Sequence, residues 1–289
     1  MPADTVIRPL LPADVPAADA VGWGALREMI PEEFHPDDAT LRSARGQARI
    51  AHLQATDPEG CWVAERDGEI VALALSLVRD DVWGLSLFAV KPGLQGQGIG
   101  RRTLEPALAY AQGRRGAIIL SSTDPRAMRR YFRAGFRVRP CLATAGPINR
   151  SRLPAGLRSR PGRLDADRDL LDAASRHVRG AAHGPDHEAI AAAGGQLLVL
   201  DDRGFAYHRE GSPVLLAARD DEAAADLLWS CLAEGPPGAP VHVDFITEHN
   251  DWAIAVSLDA GLALSPDGPV YVRGETGPLA PYLPSGAYL

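Results

Sequence analysis

The stretch Val90-Lys91-Pro92-Gly93-Leu94-Gln95-Gly96-Gln97-Gly98-Ile99-Gly100-Arg101 closes a strand-like run and opens a helical one. Residues 82–90 are rich in β-branched and aromatic side chains, whereas Ala and Leu recur at helical spacing from Gly100 to about Gln112. Glycines at such a junction let successive backbone N–H groups converge, and the helix dipole adds partial positive charge at the same point. Converging amides at a helix N-terminus form an anion site of phosphate or pyrophosphate type. Arg101 would add a charge-assisted contact.

Three other readings compete. A nucleoside-triphosphate loop ends in Gly-Lys-Ser/Thr, but here Gly100 precedes Arg101-Arg102. A dinucleotide fingerprint needs Gly-x-Gly-x-x-Gly after the first strand of a parallel unit. Gly96-x-Gly98-x-Gly100 is one residue too short and follows two hairpin-like strands, although Asp124 would suit the ribose-binding acid. A glycine turn without a ligand is the third.

Outward from the loop, residues 5–10 read as a strand. Two helices follow, one to about Ile30 and one from Asp38 or Thr40 to about Ala55. Residues 61–65 and 70–78 are strands joined through Asp67-Gly68, and 117–122 is a buried-type strand. Asp124-Pro125 starts a helix that Gly135 ends, before a strand over 136–143. Residues 149–163, rich in Arg, Pro, Gly and Ser, read as a linker. Beyond them the order recurs, with helices over 166–178, 186–193, 222–233 and 251–260. Strands are expected over 196–200, 205–208, 214–218 and 241–247, with more within 262–273. Adding 126 carries Ala127, Tyr131, Gly135 and Phe136 onto Ala253, Ser257, Gly261 and Leu262 without a gap, the mark of a duplication.

The pattern Val90-x-Pro92-x-x-Gln95-Gly96-x-Gly98-Ile99-Gly100, supported by Tyr131-x-x-x-Gly135-Phe136 and the element order, resembles the GNAT superfamily of acyl-CoA N-acyltransferases. The resemblance covers most of residues 4–147. It implies an α/β (α+β) fold of two GNAT-like domains, each a mixed, mostly antiparallel twisted sheet flanked by helices. Residues 1–148 would be the catalytic domain, 149–163 the linker, and 164–289 a degenerate copy with a C-terminal tail. Acetyl-CoA is the implied cosubstrate, with no metal. Backbone groups of Phe88, Ala89 and Val90 would hold the pantetheine arm, and the Val90 N–H would polarise the thioester carbonyl. Gln95, Gly96, Gln97, Gly98, Ile99, Gly100 and Arg101 would take the pyrophosphate, with Asp124 counted beside them. Tyr131 would protonate the departing thiolate.

Strand 82–90 carries no carboxylate for a general base, and Ser86 is its only polar side chain. Glu32, Glu33 and His35 fall on the loop between the first two helices, which commonly lines the acceptor pocket in this superfamily. These three and Ser86 are expected to contact an amine substrate, with Glu33 and His35 the candidates for the base and Glu33 counted as catalytic. Asp80-Asp81 reads as a solvated turn. Under the same offset, Gln95 to Gly100 become Asp221 to Asp226, and Ser257 replaces Tyr131, so the second half is expected to bind no coenzyme A. His177, His183 and His187 read as capping or surface residues rather than metal ligands, because Gly184-Pro185 breaks the helix that would align His183 with His187. Tyr282 and Tyr288 point to a docked tail.

The net charge of −7 argues against non-specific nucleic-acid binding. It divides unevenly, since residues 1–150 hold 19 basic and 17 acidic side chains and residues 151–289 hold 11 and 20. Three dispersed cysteines form no disulfide framework, and no apolar run suits a membrane span. A cytoplasmic monomer or homodimer acting on a small-molecule or peptide amine, with neither nucleic acid nor membrane as partner, is expected. The alternative is an acyl-CoA-binding sensor without turnover.

Overall fold

The computed structural model describes residues 4–29, 35 and 38–289. The chain packs as two compact units, one of Met1–Val78 and Trp83–Arg114, the other of Arg79–Val82 and Arg115–Leu289. These units cut across the two halves of the repeat.

In the first unit β1 (Thr5–Pro9), β2 (Cys61–Arg66), β3 (Glu69–Arg79) and β4 (Val82–Val90) are neighbours in that order. The β1–β2 and β2–β3 pairings are antiparallel, with Asp67 and Gly68 at positive φ in the turn. Helices α1 (Val15–Leu26), α2 (Ala39–Thr56) and α3 (Ile99–Ala109) complete this unit. Helix α1 stops four residues short of the expected end at Ile30, which lies outside the described residues. Helix α2 begins after Asp38, whose carboxylate accepts the Leu41 N–H at 2.8 Å, as a good N-cap should. Strand β3 is apolar and buried along nearly its whole length, which explains its continuous hydrophobic run.

The second unit contains β5 (Gly116–Leu120), α4 (Pro125–Arg133), β6 (Arg137–Pro147), β7 (Arg160–Pro161), α5 (Leu164–Arg179) and α6 (Asp186–Ala192). It continues with β8 (Gln196–Leu200), β9 (Gly204–Arg209), β10 (Ser212–Ala218), α7 (Asp221–Ala233), β11 (Pro240–Thr247), α8 (Asp251–Asp259), β12 (Ala263–Gly274) and β13 (Tyr282–Leu283). Strands β13-β10-β9-β8-β7 form one sheet. A second group runs β5-β12-β6-β11, all antiparallel.

That second order is a palindrome under the repeat. Adding 126 moves α4 onto α8 end to end, residues 116–120 into β11 and residues 137–147 into β12. Each half therefore pairs one of these two strands with a strand of the other half: β12 with β5, and β6 with β11. Close approach is needed where β12 passes the end of β5. A Cβ on Gly268 would stand 1.9 Å from the Ser121 carbonyl oxygen, so only glycine fits. Apolar side chains of α7 and α8, including Leu227, Leu228, Trp252 and Val256, bury this half's core against β10 and β11.

Within residues 149–163, read as a linker, Arg160–Pro161 pairs with β8. Two expectations need correction. The Asp80-Asp81 turn is engaged rather than merely solvated, because Asp80 accepts the Ala182 N–H at 2.9 Å and the Arg176 guanidinium at 2.7 Å. The Ala182 N–H foremost, then Arg176, holds this carboxyl below its usual range. His183 and His187 are not surface residues; both are 0% exposed. His183 Nε2 lies 2.7 Å from the Leu289 carbonyl oxygen, which also accepts the Tyr282 hydroxyl at 2.7 Å, so the tail docks on the body of its own unit. His177 is exposed. Beside these histidines the buried Arg79 grips Asp186 bidentately at 2.9 and 2.7 Å.

Burial lowers both histidines, His187 to about 4, so the folded chain keeps them neutral while the unfolded chain takes up protons. Their contribution to stability is whole above the unfolded value near 6.5 and fades as pH falls toward 4. Replacing His187→Gln should make the urea-unfolding free energy fall less steeply between pH 6.5 and 4.5, by about 1.4 kcal/mol per pH unit. Parallel slopes for variant and parent would show that His187 is not held neutral.

Candidate functional site: an amide-lined loop

Strand β4 delivers Val90 to the loop, and the Lys91 N–H then donates to the Val71 carbonyl at 2.8 Å. A turn follows, closed by the Leu94 N–H on the Lys91 carbonyl at 3.1 Å. Leu94, Val90 and Ile99 pack on the buried cluster of Ala64, Val71 and Ala72, which seats both ends of the loop on the sheet. The Gln95 side chain braces it internally, accepting the Gly93 N–H at 2.9 Å and donating to the Val90 carbonyl at 3.3 Å. From β2, Arg66 reaches the Gln97 side chain at 3.4 Å.

The backbone N–H groups from Gln95 through Arg101 have no acceptor among the described residues; the first helical bond is Arg102 N–H to the Gly98 carbonyl at 3.2 Å. An isolated helix start leaves four such donors, and the glycine loop extends that set upstream. Gly98, the N-cap, has φ 82° and no side chain to fold back on the amides. Gly96 shares this left-handed conformation. Arg101 is exposed, while Arg102 spends its guanidinium on the Thr5 carbonyl at 2.6 Å.

The corresponding junction of the second half is built differently. Only Arg219 and Asp220 separate β10 from α7, against eight residues between β4 and α3. Asp220 caps α7 by accepting the Ala223 N–H at 3.0 Å, and Arg203 holds Asp220 at 2.5 Å. The glycine loop is thus shortened away as well as replaced, and the acids that follow suit a self-capped helix.

In the second unit, Asp124 caps α4 by accepting the Arg126 N–H at 2.9 Å. Tyr131 lies on that helix, its ring edge-on to Tyr271 at 5.5 Å. Burial pushes the Tyr131 phenol well above its usual value, so it is protonated at neutral pH. The side chain is buried, and its hydroxyl has no hydrogen-bond partner among the described residues. The neighbouring Phe132 is 64% exposed.

Back in the first unit, Phe88 and Val90 are half-buried and Ala89 is buried. Ser86 accepts Arg49 Nε on its hydroxyl at 2.9 Å, and Arg49 Nη2 also reaches the Ser86 carbonyl. His35 stands edge-on to Trp23 at 5.6 Å, with Nε2 3.1 Å from the Arg27 carbonyl. Glu32 and Glu33 lie outside the described residues. Arg42, Arg45 and Arg49 carry no motif and were unremarked in the sequence, yet their i, i+3, i+7 spacing puts them on one side of α2. Arg42 is bound to the buried Asp19 at 3.0 and 2.5 Å and lies 4.9 Å over the Trp23 ring. The three thiols are buried, and desolvation raises Cys61 and Cys141 to about 12, so they are poor nucleophiles. No helix among the described residues is long and apolar enough to cross a membrane.

Residues 23–136 match the family described as the acetyltransferase (GNAT) family. Along nearly its whole length the fold is similar to a candidate acetyltransferase from Pyrococcus horikoshii, with a TM-score of 0.79 and 16% identity over 99% of this chain and 96% of that one. It is also similar to a GCN5-related N-acetyltransferase from Sphaerobacter thermophilus, with a TM-score of 0.58 and 16% identity over 93% and 95% of the two chains. A GCN5-related N-acetyltransferase from Kribbella flavida gives a TM-score of 0.56 and 16% identity over 96% and 73%. No curated protein matches this chain in sequence.

A methyl group on Gly98 would meet nothing within 4 Å, so Gly98→Ala isolates the cost of its positive φ. The expected loss is about 1 kcal/mol in urea unfolding. Unchanged or increased stability would contradict a left-handed residue at the head of α3.

Proposed function

We propose that the protein is an N-acetyltransferase carrying an acetyl group from acetyl-CoA to a primary amine, a reading supported by the match of residues 23–136 to the acetyltransferase (GNAT) family. The observation that carries this reading is the unpartnered run of amides from Gln95 to Arg101 at the head of α3. Oriented donors beside a helix dipole bind a pyrophosphate without reorganising. Backbone groups of Phe88, Ala89 and Val90 take the pantetheine arm as an added strand, and the Val90 N–H supports the developing oxyanion.

The neutral amine attacks the thioester carbonyl carbon directly, within a ternary complex. As the C–S bond breaks, Tyr131 gives its phenolic proton to the sulfur, a role suited to a hydroxyl kept protonated by burial and without an acceptor among the described residues. The surplus proton of the amine leaves through water, with Glu33 as the assigned carboxylate. Direct attack agrees with three thiols that are buried and raised rather than activated. Residues 164–289 act in this reading as a degenerate copy whose self-capped α7 holds no cosubstrate.

Tyr131→Phe keeps the ring that packs on Tyr271 and removes only the proton. It should lower kcat about 100-fold or more while the Kd for acetyl-CoA stays within about threefold. Stopped assays with a thiol-reactive dye, paired with a binding titration, separate these quantities. Undiminished kcat would remove Tyr131 from the chemistry. A parent protein that binds acetyl-CoA yet acetylates no amine of a broad panel would be a sensor instead.

A further inference from the structure

Helix α2, which meets the strand that carries the loop, holds a cation without a counter-ion among the described residues. Arg42 is neutralised by the buried Asp19. Arg49, two turns on, is seated against β4 through the Ser86 hydroxyl and carbonyl. Arg45 lies between them, one turn or about 6 Å along the axis from Arg49. It is half-buried, its Nε is shielded from solvent, and that Nε has no hydrogen-bond partner. No carboxylate among the described residues forms an ion pair with it. Like charges at i, i+4 repel, and a shielded guanidinium donor without an acceptor is costly. None of the described residues relieves either penalty. An anion seated on Arg45 beside Arg49 would relieve both.

We propose that the acceptor amine also carries an anionic group, a carboxylate or a phosphate, and that Arg45 binds this group on the α2 side of β4. The inference rests on the N-acetyl transfer proposed above and adds the chemical class of the acceptor. Arg45 acts as a specificity residue: it holds the far end of the acceptor while the amine is presented toward β4. Arg42 and its Asp19 partner form the fixed edge of the site, and the Trp23 ring under Arg42 supplies an apolar wall. The guanidinium fork suits either oxyanion, and chemically matched probes separate the two.

The test compares acetyl transfer to L-phenylalanine and to L-phenylalaninamide, and to glucosamine 6-phosphate and to glucosamine. In at least one pair the acid-bearing member should be favoured in kcat/KM by about 10- to 100-fold, and the favoured pair identifies the oxyanion. Arg45→Gln should reduce that ratio toward one, mainly through KM, and Arg45→Lys should restore part of it. A readout independent of turnover is phenylglyoxal labelling of Arg45 mapped by peptide mass spectrometry. The acid-bearing compound should slow labelling there, and its neutral counterpart should not. Equal or greater transfer to the neutral members, or a preference for the acid that survives Arg45→Gln, overturns the proposal. So does labelling at Arg45 that no acid-bearing compound slows. Absence of transfer to every amine, with Arg45 still protected, would instead defeat the N-acetyl transfer reading while leaving the anion site standing.

Discussion

The run of backbone donors from Gln95 to Arg101 must stay unpaired if the head of α3 is to receive a ligand. Folding ordinarily works against this, because side chains such as Asp, Ser and Thr readily cap a helix start. Here Gly98 removes the cap, and the neighbouring glycines keep other side chains off the amides. The exposed donors then need a rigid mount. They have one in the Lys91–Val71 backbone bond and in Leu94 and Ile99, which press on the Val71 cluster. Preorganisation of this kind is expensive to build and inexpensive to use, since the donors need not turn when an anion arrives.

The second half shows what happens when the constraint is lifted. Its strand-to-helix junction is six residues shorter, eight against two, and Asp220 caps the helix that follows. Arg158 and Arg203 pair with the acids of α7, so this end is electrostatically settled without a ligand. What the half keeps is architectural. Its strand β12 stands between β5 and β6, while β6 stands between β12 and β11. Each half therefore supplies a strand that the other needs, a physical reason for a copy to be retained after its loop is gone.

Much of this was legible in the sequence. Periodicity and Gly/Pro punctuation located the helices and strands of both halves, and the constant offset of 126 holds for α4 and α8 end to end. These features depend on local backbone preferences, which a single chain displays. The exchange of β6 and β12 does not. It pairs Ala145 with Ala263 and Cys141 with Thr247, choices made by long-range packing that leave no local pattern. His183 and His187 differ from expectation for the same reason: His183 meets Tyr282 and Leu289, 99 and 106 positions away, and His187 stacks on the Tyr207 ring at 5.8 Å. The α2 arginines were legible by spacing, but nothing in the sequence says that Arg49 meets Ser86, 37 positions away.

The central claim is that a single amide-lined loop, that of the first half, receives the cosubstrate. Calorimetric titration of the full chain with acetyl-CoA tests it most directly. The account predicts one equivalent bound per chain, with binding abolished by a bulky Gly98→Val substitution and unaffected by Asp220→Ala. Two equivalents at saturation, no binding at all, or loss of binding in Asp220→Ala with Gly98→Val unaffected would contradict it.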